Sequence, residues 1–129
     1  MVAYALATVA DKTCLVLHLS RLAAHTRYLI DSPQVSLVIS EADTFATKPV
    51  AKDPQSLVRI TLNGNCTVTS SDAPEYSAMK ENYILRLPDA RQLFSFSDFQ
   101  LIRLMPEKGR YVGGFGRASS FRWDDLVLA

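Results

Sequence analysis

The sequence predicts an α+β protein built on a small antiparallel β-barrel with two main helices. Three observations predict it. Short apolar runs recur with turn residues close between them, which favours antiparallel pairing. Two longer segments carry helix-start residues, and one of them shows apolar residues spaced by three and four. The chain has 129 residues, 48% hydrophobic and 21% charged, the balance of one folded domain over residues 1–129.

The elements follow in order. Val2, Tyr4 and Leu6 alternate, so the chain opens as a strand running to Thr8. Asp11-Lys12 reads as a tight turn and Cys14–Leu19 as a second strand, completing a hairpin. Ser20 is a good N-cap for a helix over 21–31, with Leu22, Thr26, Leu29 and Ile30 as its buried stripe and Pro33 as its stop. Val35–Ser40 is a third strand. Residues 41–56, with Pro49 and Asp53-Pro54, read as a long loop of a length that is often functional. Leu57–Thr69 returns to strand, with Arg59, Thr61 and Asn63 on one face and a bulge or close backbone approach at Gly64.

Asp72, Pro74 and Glu75 form a helix-start signature, predicting a helix over 73–87 that ends before Pro88. A short helical turn follows at Asp89–Leu93. Phe99–Met105 carries apolar groups on both faces, so this strand is expected to be covered on both sides. Glu107-Lys108-Gly109 reads as a turn and Tyr111–Phe115 as the sixth strand. The tail from Ser119 to Leu128 reads as a short amphipathic helix anchored by Phe121, Trp123 and Leu126.

Composition excludes several classes. Fourteen Lys and Arg against 13 Asp and Glu leave a net charge of +1, so bulk attraction to nucleic acid or to an acidic membrane is not expected. No apolar run approaches the roughly 18–20 residues of a membrane span. Cys14 and Cys66 stand far apart in no metal-ligand spacing, and with His18 and His25 the only histidines a metal centre is not expected. The N-terminus shows no secretory pattern, and a reduced, cytoplasmic protein is the expectation.

Four stretches carry a family resemblance. They are His18-Leu19-Ser20-Arg21-Leu22-Ala23-Ala24-His25-Thr26-Arg27, then Asp31–Leu37, then Val58–Gly64, and finally Tyr111-Val112-Gly113-Gly114-Phe115-Gly116-Arg117-Ala118. In this order and spacing the chain resembles the haem-utilisation branch of the pyridoxamine-phosphate-oxidase-like superfamily. Leu87-Pro88-Asp89-Ala90 and Ser97-Asp98-Phe99 are similar to that branch as well. The resemblance implies a split barrel that binds flavin mononucleotide (FMN), assembled as a homodimer with flavin sites at the subunit interface. It begins at the family's second barrel strand. It also leaves unmatched the C-terminal domain that longer members carry and that is implicated in haem binding.

On this reading FMN requires a phosphate cradle and an apolar slot. The helix start after Ser20 supplies N–H donors and the positive end of a helix dipole. Ser20, His25 and Thr26, aided by Arg21, are the candidate cradle, and Arg59 is a further cation that reaches a phosphate or a carboxylate. The plainer alternative leaves Ser20 as a cap and Arg21, Arg27 and Arg59 solvated. His18 reads as a packed histidine. Cys14 and Cys66 read as small buried apolar residues. Gly113–Gly116 reads as a close approach to a ligand or second subunit, or as a plain strand exit.

Three functional expectations follow. The first is an FMN-dependent oxidoreductase acting on a small redox substrate. The second is a haem-binding or haem-degradation accessory protein, with His18 or His25 near iron. The third is a truncated barrel that dimerises without cofactor. A homodimer is expected throughout, with Phe94, Phe96, Phe99 and the glycine run as interface surface.

Overall fold

The computed structural model describes residues 2–32, 34–40, 58–113 and 117–126. Its elements are β1 (Ala5–Val9), β2 (Lys12–Ser20), α1 (Ala24–Asp31), β3 (Gln34–Ser40), β4 (Arg59–Thr69) and α2 (Tyr76–Arg86). A 3-10 helix at Pro88–Ser95 follows, then β5 (Phe99–Val112), β6 (Ala118–Arg122) and a 3-10 turn at Trp123–Asp125. The six strands join in the order β1-β2-β5-β4-β3, with β6 on β5. The pairings β1–β2, β2–β5 and β5–β6 are antiparallel. The α+β fold built on antiparallel strands is therefore the one expected. The expected loop at 41–56 and Gly114–Gly116 of the glycine run lie outside the described residues.

Two compact units divide the chain. The first comprises Val2–Val35 with Asn65–Met105, and the second holds Ser36–Gly64 with Pro106–Ala129. In the first unit β2 is buried on both faces. On one face Cys14 and Val16 stand opposite Ala7 and Ala5 of β1. They pack with Leu101 of β5 and with Met79 and Tyr83 of α2 in one core cluster. The small alanines leave room on β1 for the side chains of α2. The other face buries Leu15, Leu17 and Leu19 of β2 with Ile102 and Leu104 of β5. Side-chain direction alternates along a strand, so a strand apolar at every position has to be covered twice.

The hairpin turn lies one residue earlier than expected, at Ala10-Asp11. Both residues have positive φ, 50° and 65°. That is the left-handed region a two-residue hairpin loop requires, and there an alanine is strained. Replacing Ala10-Asp11 by Asn-Gly is expected to stabilise the protein by about 1 kcal/mol. A rise in the urea midpoint with unchanged slope is the check, and a fall would contradict it.

Both helices start three residues later than predicted. α1 has Ala23 as its N-cap, not Ser20. Its buried stripe shrinks to Thr26 and the half-buried Leu29, while Leu22 and Tyr28 are each 72% exposed and Ile30 is 45% exposed. Before α2 the chain makes two turns. The Ala73 N–H donates to the Ser70 carbonyl at 2.9 Å and the Tyr76 N–H to the Ala73 carbonyl at 3.1 Å. The Asp72 N–H donates to the Ser70 hydroxyl at 3.2 Å, so Ser70 organises this entry and Asp72 caps nothing. α2 ends at Arg86, just before Leu87-Pro88, because a residue preceding proline is disfavoured in helical conformation.

The C-terminal third departs most from expectation. Glu107-Lys108-Gly109 is not a turn: β5 continues through it for 14 residues. The expected tail helix is instead β6, followed by the short turn at Trp123. The reason lies at Gly109, which stands opposite Phe121 in the β5–β6 register. A strand glycine facing an aromatic ring lets the ring lie over the backbone, a pairing that holds two strands together without a side chain at the glycine. Among the described residues, no helix is long and apolar enough to cross a membrane.

Candidate functional site

The end of β2 and the start of α1 place the predicted cradle residues. The Ser20 hydroxyl donates to Asp98 Oδ2 at 2.7 Å and accepts the Leu22 N–H at 3.2 Å. The Arg21 N–H donates to the Asp98 carbonyl at 2.7 Å. Ser20 therefore ties β2 to the entry of β5, and its proton is committed to a carboxylate. Thr26 is fully buried, and its Oγ1 has no hydrogen-bond partner. His25, Arg21 and Arg27 are exposed around it. Arg59 is exposed on β4 and belongs to the second unit. The structure thus gathers Ser20, Arg21, His25 and Thr26 in one stretch of chain, but with the serine occupied and the threonine sealed.

His18 sits in an aromatic box. Its ring stacks on Phe94 with centroids 3.8 Å apart and planes 7° off parallel. Tyr83 meets it edge-on at 5.8 Å and Phe99 lies tilted at 5.1 Å. The Lys80 ammonium stands over the other ring of that stack, 5.1 Å from the Phe94 centroid. His18 is 6% exposed, and its Nδ1 is buried without a hydrogen-bond partner. Burial disfavours the imidazolium, and the nearby Lys80 charge adds repulsion. Together they bring the His18 pKa down to about 4, so the ring is neutral at pH 7. This is the packed histidine the sequence favours, with an orphan nitrogen that the sequence could not show.

The cysteines are free and buried. Burial pushes the Cys66 thiol up to about 11, and it raises Cys14 too, although Arg103 pulls Cys14 back. Since the thiolate is the reactive form, neither should react with a thiol reagent in the native protein at pH 7. Labelling should appear only as the protein unfolds in urea. Rapid native labelling would contradict this.

The antiparallel sheet and its helices share their fold with a Clostridium acetobutylicum protein of the pyridoxinephosphate oxidase family, which superposes with a TM-score of 0.53 at 11% identity over 95% of this chain and 86% of that one. The chain belongs to the CREG beta-barrel family, whose model matches residues 1–125. It is 33% identical to the haem oxygenase HutZ of Vibrio cholerae over 113 residues, which cover 84% of this chain and 60% of HutZ. It is 32% identical over 105 residues to the chloroplastic haem oxygenase HOZ of Arabidopsis thaliana, covering 80% of this chain and 28% of HOZ. Among solved structures, a haem-binding protein from Mycobacterium smegmatis superposes with a TM-score of 0.74 at 27% identity, over 95% of this chain and 46% of that one. The chain thus spans less than two thirds of HutZ, of HOZ and of the Mycobacterium smegmatis protein.

These findings correct the cofactor expectation. The relatives are described by haem, not by FMN, and the FMN assignment that the superfamily resemblance implied does not stand. The geometry of Ser20 shows a physical counterpart. A hydroxyl bound to the Asp98 carboxylate offers its proton to no phosphate, and the carboxylate repels an anion. What sequence reasoning missed here is Asp98, which lies 78 residues from Ser20 and gave no local sign of the contact.

Proposed function

We propose that the chain is a haem-binding protein, with haem degradation as the finer reading suggested by the names of its two haem oxygenase relatives. The observation that carries it in this chain is the exposed surface around His25. Haem asks a protein for a donor to iron, apolar contact for the porphyrin and cations for its carboxylates. His18 does not fit, because Phe94 covers its ring and its Nδ1 is sealed in the core. His25 fits. It is exposed on the first turn of α1, and Tyr28 lies one turn further on. Leu22 precedes it by three residues. Leu22 and Tyr28 are large apolar groups left open to solvent, and Arg21 and Arg27 are exposed cations beside them.

Bound haem supplies a redox-active iron. The chain's own residues supply the imidazole donor, the apolar contact and the charge that orients the carboxylates. Titration of haemin followed at the Soret band tests the reading. His25→Ala is expected to weaken binding at least tenfold, about 1.4 kcal/mol. An unchanged affinity would remove His25 from the site, and no Soret change with the unmodified protein would defeat the haem reading itself. The homodimer belongs to the same proposal, since Tyr28 and Ile30 on α1 and Leu22 in the turn before it leave apolar surface exposed for a second copy to cover. Sedimentation at micromolar protein reads it directly, and a stable monomer would defeat that part.

A further inference from the structure

We propose that the second unit carries a binding site for a compact phosphate-class anion, in a groove along β5 and β6 built from residues other than those assigned to haem. The groove encloses about 510 Å³, and Lys108, Arg110 and Arg122 line it together with Asn63, Ser120 and Asp125. The register places Lys108 directly opposite Arg122 and Arg110 opposite Ser120. Arg110 follows Lys108 by two residues, so all three cations project from one face of the ribbon. Directly opposed like charges in an antiparallel pair are destabilising, because their Cβ atoms stand about 5 Å apart. No ion pair to any of the three is found among the described residues, and Asp125 is the one carboxylate lining the groove. Among the described residues that line the groove, three cations thus stand against one carboxylate, an excess of two positive charges in a small concave space.

The neutral groups suit the same ligand. Asn63 uses its side-chain oxygen to accept from the Ser36 hydroxyl, which leaves its NH2 group as a donor. Ser120 adds a hydroxyl. A carboxylate carries one charge and takes one guanidinium fork in its plane. A phosphate carries up to two charges and accepts from several directions, which matches two arginines, a lysine and a net excess of two. The groove is short and the whole chain has a net charge of only +1, so a single small molecule fits it better than a nucleic-acid strand.

Calorimetry at fixed ionic strength with pyrophosphate, inorganic phosphate, glycerol phosphate and succinate tests the site. Pyrophosphate should bind once per chain, with succinate at least tenfold weaker. The Arg110→Gln/Arg122→Gln double variant should lose at least tenfold in pyrophosphate affinity. Arg122→Gln alone checks folding, because removing one of two opposed cations should leave the ligand-free melting temperature equal or higher. Pyrophosphate should then raise the melting temperature of the unmodified protein more than that of Arg122→Gln. Tighter binding of glycerol phosphate than of inorganic phosphate assigns the source to an ester, and the reverse assigns it to the free ion. No binding to the unmodified protein, equal binding by the double variant, or succinate matching pyrophosphate would each overturn the proposal. None of these outcomes depends on whether haemin binds.

Discussion

Acidification from pH 7 to pH 4 is expected to remove about 3 kcal/mol of stability through His18 alone, and His18→Phe should abolish that loss. The folded protein holds His18 at a pKa of about 4, whereas the unfolded chain titrates it near the ordinary 6.5. Between those values the unfolded state binds the extra proton, so stability falls as pH drops. Above pH of about 6.5 both states are neutral at this residue and the contribution is full. Below about 4 the loss is complete. Phenylalanine keeps an aromatic ring against Phe94, Tyr83 and Phe99 and has nothing to protonate. It also removes the orphan Nδ1. Urea unfolding of both proteins at pH 7, 5 and 4 gives the test, because other titrating groups cancel in the difference. Parallel stability profiles for the two proteins would show that His18 does not set the acid limb.

Gly109→Ala is expected to cost about 2–3 kcal/mol, in spite of the usual preference for alanine over glycine within a strand. A Cβ at this position would collide with the end of the Phe121 ring and stand 2.9 Å from the Thr61 carbonyl oxygen. The ring has rotamers to move into, but the carbonyl is held in the backbone of β4. Adding Phe121→Leu to Gly109→Ala should therefore recover only part of the loss. The remainder measures the backbone contact, and the cycle of four proteins separates the two terms. Full recovery would assign the whole effect to the ring. No loss on Gly109→Ala would mean that the strands part more easily than this packing implies.

Local patterns in the sequence were sufficient for the first hairpin and for the stop of α2 at Pro88, since alternation and proline act within a few residues. They failed where a distant partner decides. Ser20 has the chemistry of a cap and its oxygen does accept the Leu22 N–H, but Asp98 anchors its hydroxyl at the entry of β5 and α1 starts only beyond Ala23. Glu107-Lys108-Gly109 has the composition of a turn, but Phe121 makes it the middle of a strand. Once that stretch reads as a turn, the opposition of Lys108 and Arg122 cannot be seen, because it exists only in the register. The surface around His25 was half legible. Its residues stood out, but Leu22 and Ile30 read as core and proved exposed. The box around His18 draws Tyr83 and Phe94 from separate elements, and no spacing in β2 announces them.

The pairing of β2 with β5 also sets a timetable for the newly made chain. Ser20 meets Asp98 across 78 residues, and the whole β2–β5 ladder spans similar separations. At ribosomal speeds of about 5–20 residues per second, the β1–β2 hairpin waits roughly 4–16 s before its partner strand has been synthesised. During that wait Leu15, Leu17 and Leu19 face water and the hydrogen-bonding edge of β2 is open, an invitation to pair with a neighbouring nascent chain. Slow codons placed between the two strands would lengthen this exposure and speeding translation there would shorten it. The yield of folded protein should thus respond to synonymous changes in that interval that leave every residue unaltered.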